Sequence, residues 1–388
     1  MSSKRVGRRA ARRPNRFARS FCLGALVAGM SLGSAAQEEQ GAASPASAAD
    51  PLETIVVSAS RARQRLADAP AAVTVLSSAE LRQLPWDDYG DLLRTVPGVN
   101  VAQTGVRDIN VTARGATSTL STSQLLLLDG RSMYLDFFGF VMWDLLPVQP
   151  AEIDRIEVVR GPGSAVWGAN AMTGVVNVIT KRPKDMPGTT LVVGTPYANV
   201  VHAGAAGKLA YRVSAGYFEQ SAYERPTGVV PGSVPPQSYP GFENRDTQQR
   251  RFDARMDYDL TGDSFVSVSG GYADTAGILE SGIGPFDIAR GSGLSYLKAD
   301  WNAGAAHVGF YGNFLRGDAT NLLTLGATGS PLSFHFTTDT YDLEMSDSSR
   351  AGTRHTLTYG ADFRKSDFEL GIAPAASGRQ ERGAFLQD

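Results

Sequence analysis

Between residues 251 and 260, apolar and charged side chains alternate one by one. Phe252, Ala254, Met256, Tyr258 and Leu260 share one face, while Arg251, Asp253, Arg255, Asp257 and Asp259 share the other. Side chains on a strand have a period of two, so the segment is extended, apolar on one side and wet on the other. The rule recurs along the chain. His355, Leu357, Tyr359, Ala361 and Phe363 alternate with Thr356, Thr358, Gly360, Asp362 and Arg364. Tyr211, Val213, Ala215 and Tyr217 alternate with Arg212, Ser214 and Gly216, and Val266, Val268, Gly270 and Tyr272 repeat the pattern. A soluble β-sandwich alternates too, but it has no need of charge along whole strands. The connections separate the two architectures. Short links near 207–208, 261–263, 302–305 and 346–354 take turns with long polar links near 219–246, 275–292, 317–333 and 366–381. Short turns at one rim and long loops at the other belong to an antiparallel transmembrane β-barrel, expected over 189–388 with about ten strands.

The front of the chain explains how such a sheet reaches a membrane. Lys4, Arg5, Arg8, Arg9, Arg12, Arg13, Arg16 and Arg19 carry charge with no acid among them before residue 37. An apolar run from Phe21 to Gly33 follows, then Ser34-Ala35-Ala36. A basic stretch, a short apolar core and small residues before a cut describe a secretory signal peptide over 1–36. Removing its eight cations from the total of 37 leaves 29 basic against 39 acidic residues, and takes away the chain's one cysteine, Cys22. The exported remainder is thus acidic and thiol-free. That excludes a disulfide scaffold and argues against a nucleic-acid binder. Four scattered histidines, His202, His307, His335 and His355, suggest no metal cluster. Elsewhere no apolar run is long enough for a spanning helix, so strands are the means of crossing.

Residues 64–188 differ in kind and predict a compact α+β domain. Ser77-Ser78-Ala79-Glu80 before Leu81 and Leu84 is a capping box opening a short helix. Asp87 is the expected cap of the next, whose Tyr89, Leu92, Leu93 and Val96 fall on one face before Pro97-Gly98 ends it. Leu125 to Leu128 is a buried strand turned by Asp129-Gly130. Ile153, Ile156, Val158 and Val159 mark another, closed by Gly161-Pro162-Gly163, and Val175 to Thr180 a last one. The glycine loop lacks the Gly-Lys-Ser/Thr ending of a phosphate cradle. Asp257, Asp259, Thr261 and Gly262 imitate the start of a calcium loop, but Val268 stands where its bidentate glutamate belongs.

These segments carry a resemblance. Glu53-Thr54-Ile55-Val56-Val57-Ser58-Ala59 resembles a TonB box, the energy-coupling segment of TonB-dependent outer-membrane receptors. Asp91-Leu92-Leu93-Arg94-Thr95-Val96-Pro97-Gly98-Val99, Arg114-Gly115 and Leu128-Asp129-Gly130-Arg131 are similar to motifs of that family's plug domain. So are the runs from Ile153 to Pro162, from Ser164 to Ala171 and from Gly174 to Thr180. The implied organisation is a signal peptide (1–36), a linker with the TonB box at 53–60 (37–63), an α+β plug domain (64–188) and the N-terminal part of a transmembrane β-barrel (189–388). Plugged barrels of this kind have about 22 strands, so about ten would be an incomplete wall. A part of a longer protein is expected, with a truncated, non-functional product as the alternative.

The resemblance further implies energy-coupled uptake of a bulky, scarce nutrient, a ferric siderophore first and cobalamin or another chelate second. The implied partners are the TonB protein of the inner-membrane energising complex, outer-membrane lipid and a small-molecule chelate, with no nucleic acid and no bound cofactor. A β-branched segment such as 53–59, charged only at Glu53, suits capture as an added strand. Arg114 and Arg160 are implied locks between plug and wall, pairing with barrel glutamates. Tyr134, Phe137, Phe138, Phe140 and Trp143 make one plug tip unusually aromatic, a candidate ligand contact or a loop packed on the wall. A passive porin and a secreted β-rich binding protein or enzyme are the competing classes. No Ser/His/Asp or Cys/His arrangement suggests catalysis, and the chain is read as a non-enzyme.

Overall fold

The structure is a computed structural model. It describes residues 55–56, 61, 64–84, 88–103, 105–115, 122–136, 138–168, 170–239, 241–242, 245–281, 284–352, 355–375 and 377–388. The expected signal peptide, Glu53, Thr54, Val57, Ser58, Ala59, Asp87 and Phe137 lie outside these residues.

The chain enters through a two-residue strand β1 (Ile55–Val56), paired antiparallel with β2 (Gln64–Arg65). Strand β3 (Ala72–Ser77) ends on its own cap: Ser77 Oγ accepts from Glu80 N at 3.3 Å, and the Glu80 carboxylate accepts from Ser77 N at 2.7 Å. This is the capping box that opens α1 (Ser78–Gln83). Helix α2 (Tyr89–Arg94) is capped by Asp88, whose Oδ1 accepts from Asp91 N at 3.0 Å, one residue beyond the predicted Asp87. The cap must lie three residues before the amide it serves, and only Asp88 has that spacing to Asp91. Tyr89, Leu92, Leu93 and Val96 form the buried face as the spacing predicts, and Gly98 takes the left-handed backbone that ends the turn.

Strands β4 (Val99–Gln103) and β5 (Ile109–Ala113) make a hairpin. Strand β6 (Gln124–Leu128) turns through Asp129-Gly130, both with positive φ, into β7 (Arg131–Ser132). A small hairpin, β8 (Tyr134–Leu135) with β9 (Phe140–Val141), precedes a 3-10 turn at Pro150–Glu152 and strand β10 (Ile153–Arg160). A four-residue helix α3 (Ser164–Trp167) leads to β11 (Gly174–Thr180). The five-stranded order is β3-β10-β11-β6-β7, with β6 and β11 parallel and the other neighbours antiparallel. The unbroken leucines of β6 follow from this, because a central strand is covered on both faces. Gly174 is required where β11 meets β10: a Cβ there would stand 2.3 Å from the Val159 carbonyl.

A ten-stranded antiparallel sheet begins at Gly188, with neighbours in chain order throughout. Its strands are β12 (Gly188–Val193), β13 (Tyr197–Ala206), β14 (Leu209–Gln220), β15 (Thr247–Asp259) and β16 (Ser264–Ser281). They continue as β17 (Gly284–Ala303), β18 (Ala306–Leu325), β19 (Pro331–Ala351), β20 (His355–Leu370) and β21 (Gly378–Gln387). The predicted faces appear as predicted. Phe252, Met256, Tyr258, Tyr211, Tyr217, Tyr359 and Phe363 point outward and are exposed, while Arg212, Asp253 and Asp257 point inward and are buried.

Most of the expected long loops at 275–292, 317–333 and 366–381 are strand instead. β16 to β19 run 18 to 21 residues, against about ten for a membrane crossing. Here the inward face carries apolar residues such as Ile288, Leu315, Ala319, Phe334 and Phe336, buried in the core, so the apolar-out, polar-in rule of the membrane-crossing part no longer holds although the ladder continues. Register shifts at Thr275/Gly277, Ile288/Gly293 and Asn321/Leu325 mark where the ladder is adjusted.

The sheet curls about the five-stranded domain, and one apolar cluster belongs to both. Leu92, Leu93, Leu126, Ile156 and Val176 of the inner domain lie in a common core with Leu294, Leu315, Phe334, Phe336 and Leu370 of the wall. The inner domain is seated within the sheet.

Candidate functional site

The segment expected to couple is held where it is described, at β1. Val56 is fully buried and Ile55 is half-exposed, in register with Gln64 and Arg65. Arg61, just after it, has a left-handed backbone at φ 56°. Its Nη1 lies 3.1 Å from the Glu344 carboxylate and 3.9 Å from Asp362, both on the wall. The same guanidinium stands 4.5 Å from the Trp167 ring centre and 4.9 Å from that of Phe385. A conformation that disfavours side chains is here fixed by ion pairing and two cation–π contacts.

Arg114 and Arg160 make their bonds inside the inner domain. Arg160 donates to the Pro97 carbonyl, and the Arg114 amide donates to Gly98 O at 3.1 Å. The first fastens the turn after α2 to the end of β10, and the second fastens it to the end of β5. The Nε of Arg160 is buried without an acceptor.

Other side chains join the inner domain to the wall. Glu152, at the start of β10 and with no exposed surface, lies 2.8 Å from Arg212 of β14 and accepts from Ser214 at 2.9 Å. Arg212 reaches Asp253 of β15 at 3.0 Å, and the Tyr296 hydroxyl donates to Asp253. Arg131 stacks on the Tyr296 ring at 3.8 Å and donates to Asn313 at 2.6 Å. A second group sits at the other rim, where Arg182 pairs with Asp257 at 3.0 Å and Asp259 at 2.8 Å. Towards the long hairpins, Arg107 pairs with Asp144 at 2.7 Å and donates to the Gly277 carbonyl, while Thr275 donates to Asp144. Burial raises the Glu152 carboxyl above its ordinary range, opposed by Arg212 and reinforced by Asp253. Two buried carboxylates share one guanidinium there, so a proton is held more readily.

The sequence gives these wall charges as a wet lumen face. A polar face looks the same in a strand whether water or a charged inner domain lies against it.

The aromatic tip is largely packed. Trp143 is 3% exposed and lies 5.9 Å from the Tyr89 ring, and Phe140 is buried in the common core. Phe138 meets Phe140 at 6.0 Å and the wall's Phe336 edge-on at 5.3 Å. Tyr134 is half-buried and donates its hydroxyl to the Thr122 carbonyl at 2.9 Å. Between the inner domain and β19–β21 lies a cavity of about 280 Å³, lined among others by Arg61, Ser132, Ser164, Trp167, Asp342 and Glu381. Among the described residues no group of three or more His, Cys, Asp or Glu is placed to hold a metal ion.

The family described as TonB-dependent Receptor Plug Domain matches residues 65–175. With a plug of that family seated in an antiparallel wall, the inner domain is decided. Residues 65–175 are a plug domain of the TonB-dependent receptors. The sheet after it has the fold of part of a receptor barrel. The chain is 35% identical over 144 residues to the vitamin B12 transporter BtuB of Vibrio vulnificus, covering 37% of this chain and 23% of that one. It is 36% identical over 138 residues to an iron-regulated outer membrane virulence protein of Vibrio cholerae, covering 34% and 20%. Among solved structures, the siderophore receptor PirA of Pseudomonas aeruginosa matches 82% of this chain and 52% of its own at a TM-score of 0.54 and 19% identity. The copper transporter OprC matches at a TM-score of 0.59 and 16% identity, over 77% and 47%. The matches thus span about a quarter of the curated relatives' length and about half of the solved chains. At these identities the solved structures speak for the fold of this chain, and for that alone.

Proposed function

We propose that the full receptor imports a bulky, scarce chelate from outside the cell, a ferric siderophore first and cobalamin second. The work is done by the TonB protein pulling on residues 53–60. The observation that carries this reading is the seat of the plug: it shares a core with the wall and is bonded to it, so nothing large passes until force or binding moves it. β1 supports the coupling role. It is a two-residue edge of uncharged β-branched residues that a partner's sheet can take over by strand addition. The relatives' names, one a vitamin B12 transporter and one iron-regulated, support this class of cargo.

The same reading keeps the boundaries at 1–36, 37–63, 64–188 and 189–388 for leader, linker, plug and wall. Arg114 and Arg160 remain plug-to-wall locks in this account, supported by the buried Arg160 Nε that still lacks an acceptor. Tyr134 and Phe138, the half-buried members of the aromatic tip, are its ligand contacts. Phe140 and Trp143 hold that tip from beneath, and Phe137 falls outside the described residues.

The test is uptake of labelled ferric enterobactin and cyanocobalamin by cells producing the full receptor, with and without a protonophore. Accumulation that collapses on dissipating the proton gradient is the expected result. Flux that persists unchanged identifies a passive porin and overturns the reading.

A further inference from the structure

We propose that Gly216 of β14 is a positioning residue. The space left by its missing side chain is a socket for the Gln149 carboxamide, and the fit sets the height at which the plug rests in the wall. The consequence for permeation rests on the reading of the plug as the receptor's closure.

Strand β14 has both neighbours in place, paired in unbroken register with β13 and β15. Its inward face carries Arg212, Ser214, Gly216 and Phe218, one at every second position. Against this face lies the plug's 3-10 turn at Pro150–Glu152, with Gln149 before it. Arg212 and Ser214 hold Glu152 at 2.8 and 2.9 Å. Gly216 meets Gln149: a Cβ at 216 would overlap the carboxamide, with its Nε2 2.6 Å away. The spacings agree. One step along a strand face is about 6.6 Å, and the three residues from Gln149 to Glu152 rise about 6 Å in a 3-10 turn. Phe218, the next inward residue, lines a small space with Tyr89 and Trp143. A plug set one step away would drive Gln149 into Ser214 or Phe218 and take Glu152 from Arg212. Only one height suits both ends of the turn.

The carboxamide is held by shape more than by bonding. Gln149 has no exposed surface, and its Oε1 has no hydrogen-bond partner among the described residues. Its Nε2 reaches only the Pro147 carbonyl, at 3.4 Å. The backbone on which it stands is fixed: the Gln149 amide donates to the Glu152 carboxylate, and its carbonyl accepts from the Glu152 amide at 3.0 Å. Asn199 of β13 closes the socket from the side, its Oδ1 2.6 Å from the same Cβ point. A side chain so enclosed has nowhere to swing. A methyl at 216 therefore acts on the whole turn, and through it on β10.

The experiment needs no cargo. The full receptor carrying Gly216→Ala, Gln149→Ala or both is purified, and two quantities are read: potassium chloride conductance across planar bilayers, and the rate of trypsin cleavage of the plug in vesicles. Gly216→Ala is expected to raise both by roughly tenfold, the scale of one overpacked buried contact. Gln149→Ala alone is expected to stay near wild type, and the double variant to return to it. Gln149→Trp overfills the socket from the plug side with the wall sequence intact, and is expected to leak like Gly216→Ala. Gly204→Ala is the control. It crowds Tyr211 as closely, but on the outward face where the ring can move into lipid, and both readings are expected to hold. No leak from Gly216→Ala and Gln149→Trp overturns the socket, as does a leak from Gly216→Ala that Gln149→Ala leaves in place. Rescue by Asn199→Ala in its stead also overturns it, since the crowding then lies within the wall. A wild-type receptor that already conducts freely, while plug cleavage still follows this pattern, strikes the closure reading and leaves the socket standing, so the two failures are distinguishable.

Discussion

A carboxylate with no exposed surface, as at Glu152, has to find charge or donors inside the protein. It finds Arg212, Ser214 and the Gln149 amide. Glu152→Gln keeps acceptor oxygen for the donors and leaves Arg212 with Asp253, so a loss of about 1 kcal/mol in plug docking is expected, against about 2–3 kcal/mol for Glu152→Ala. Protease protection of the plug in the assembled receptor reads the difference. The upward shift of this carboxyl also sets a sign. Its proton is held more tightly in the docked plug than in an open one. The contribution is therefore full below the ordinary value of 4.5 and fades as pH rises through the raised one. Protection is expected to weaken with rising pH over that window, and Glu152→Gln to flatten the dependence. Gly174→Ala, which drives a methyl into the Val159 carbonyl, is expected to cost about 1–3 kcal/mol by overpacking, measured as a lowered denaturation midpoint. The role of neither position was legible from sequence. Each owes its role to a neighbour far along the chain, and neither composition nor periodicity encodes such neighbours.

Short elements with local signals were legible. The Ser77–Glu80 box, the Asp129-Gly130 turn and the apolar face of α2 are all fixed by residues within seven positions of one another, and all stand where the spacing puts them. The cap of α2 fell one residue away, because two adjacent aspartates satisfy the same rule in sequence. The long hairpins were misread for a physical reason: apolar-out alternation reports lipid outside, and beyond the membrane the buried apolar residues, such as Leu315, Ala319, Phe334 and Phe336, face inward instead. Ser77→Ala removes a reciprocal cap and is expected to cost about 1 kcal/mol of plug stability by thermal unfolding of the receptor. Ile55→Pro deletes a ladder donor from β1. It is expected to abolish energised uptake with surface binding and membrane insertion intact. Normal uptake by this variant would remove 53–59 from the coupling role.

For the whole molecule, class and layout could be read because they depend on pattern summed over many residues: a charged, alternating sheet after a compact domain that carries several spaced motifs. What the plug touches could not be read, since a lumen filled with water and one filled with protein ask for the same inward polar face. The mutual core of plug and wall bears on assembly. Leu315, Phe336 and Leu370 of the wall are inward-facing apolar groups that a hollow pore would present to water. Arg212 and Asp253 would stand there without Glu152. A cylinder inserted empty would therefore be sticky and poorly matched within, so stopper and staves must reach the bilayer as one folding unit, each serving as the mould for the other.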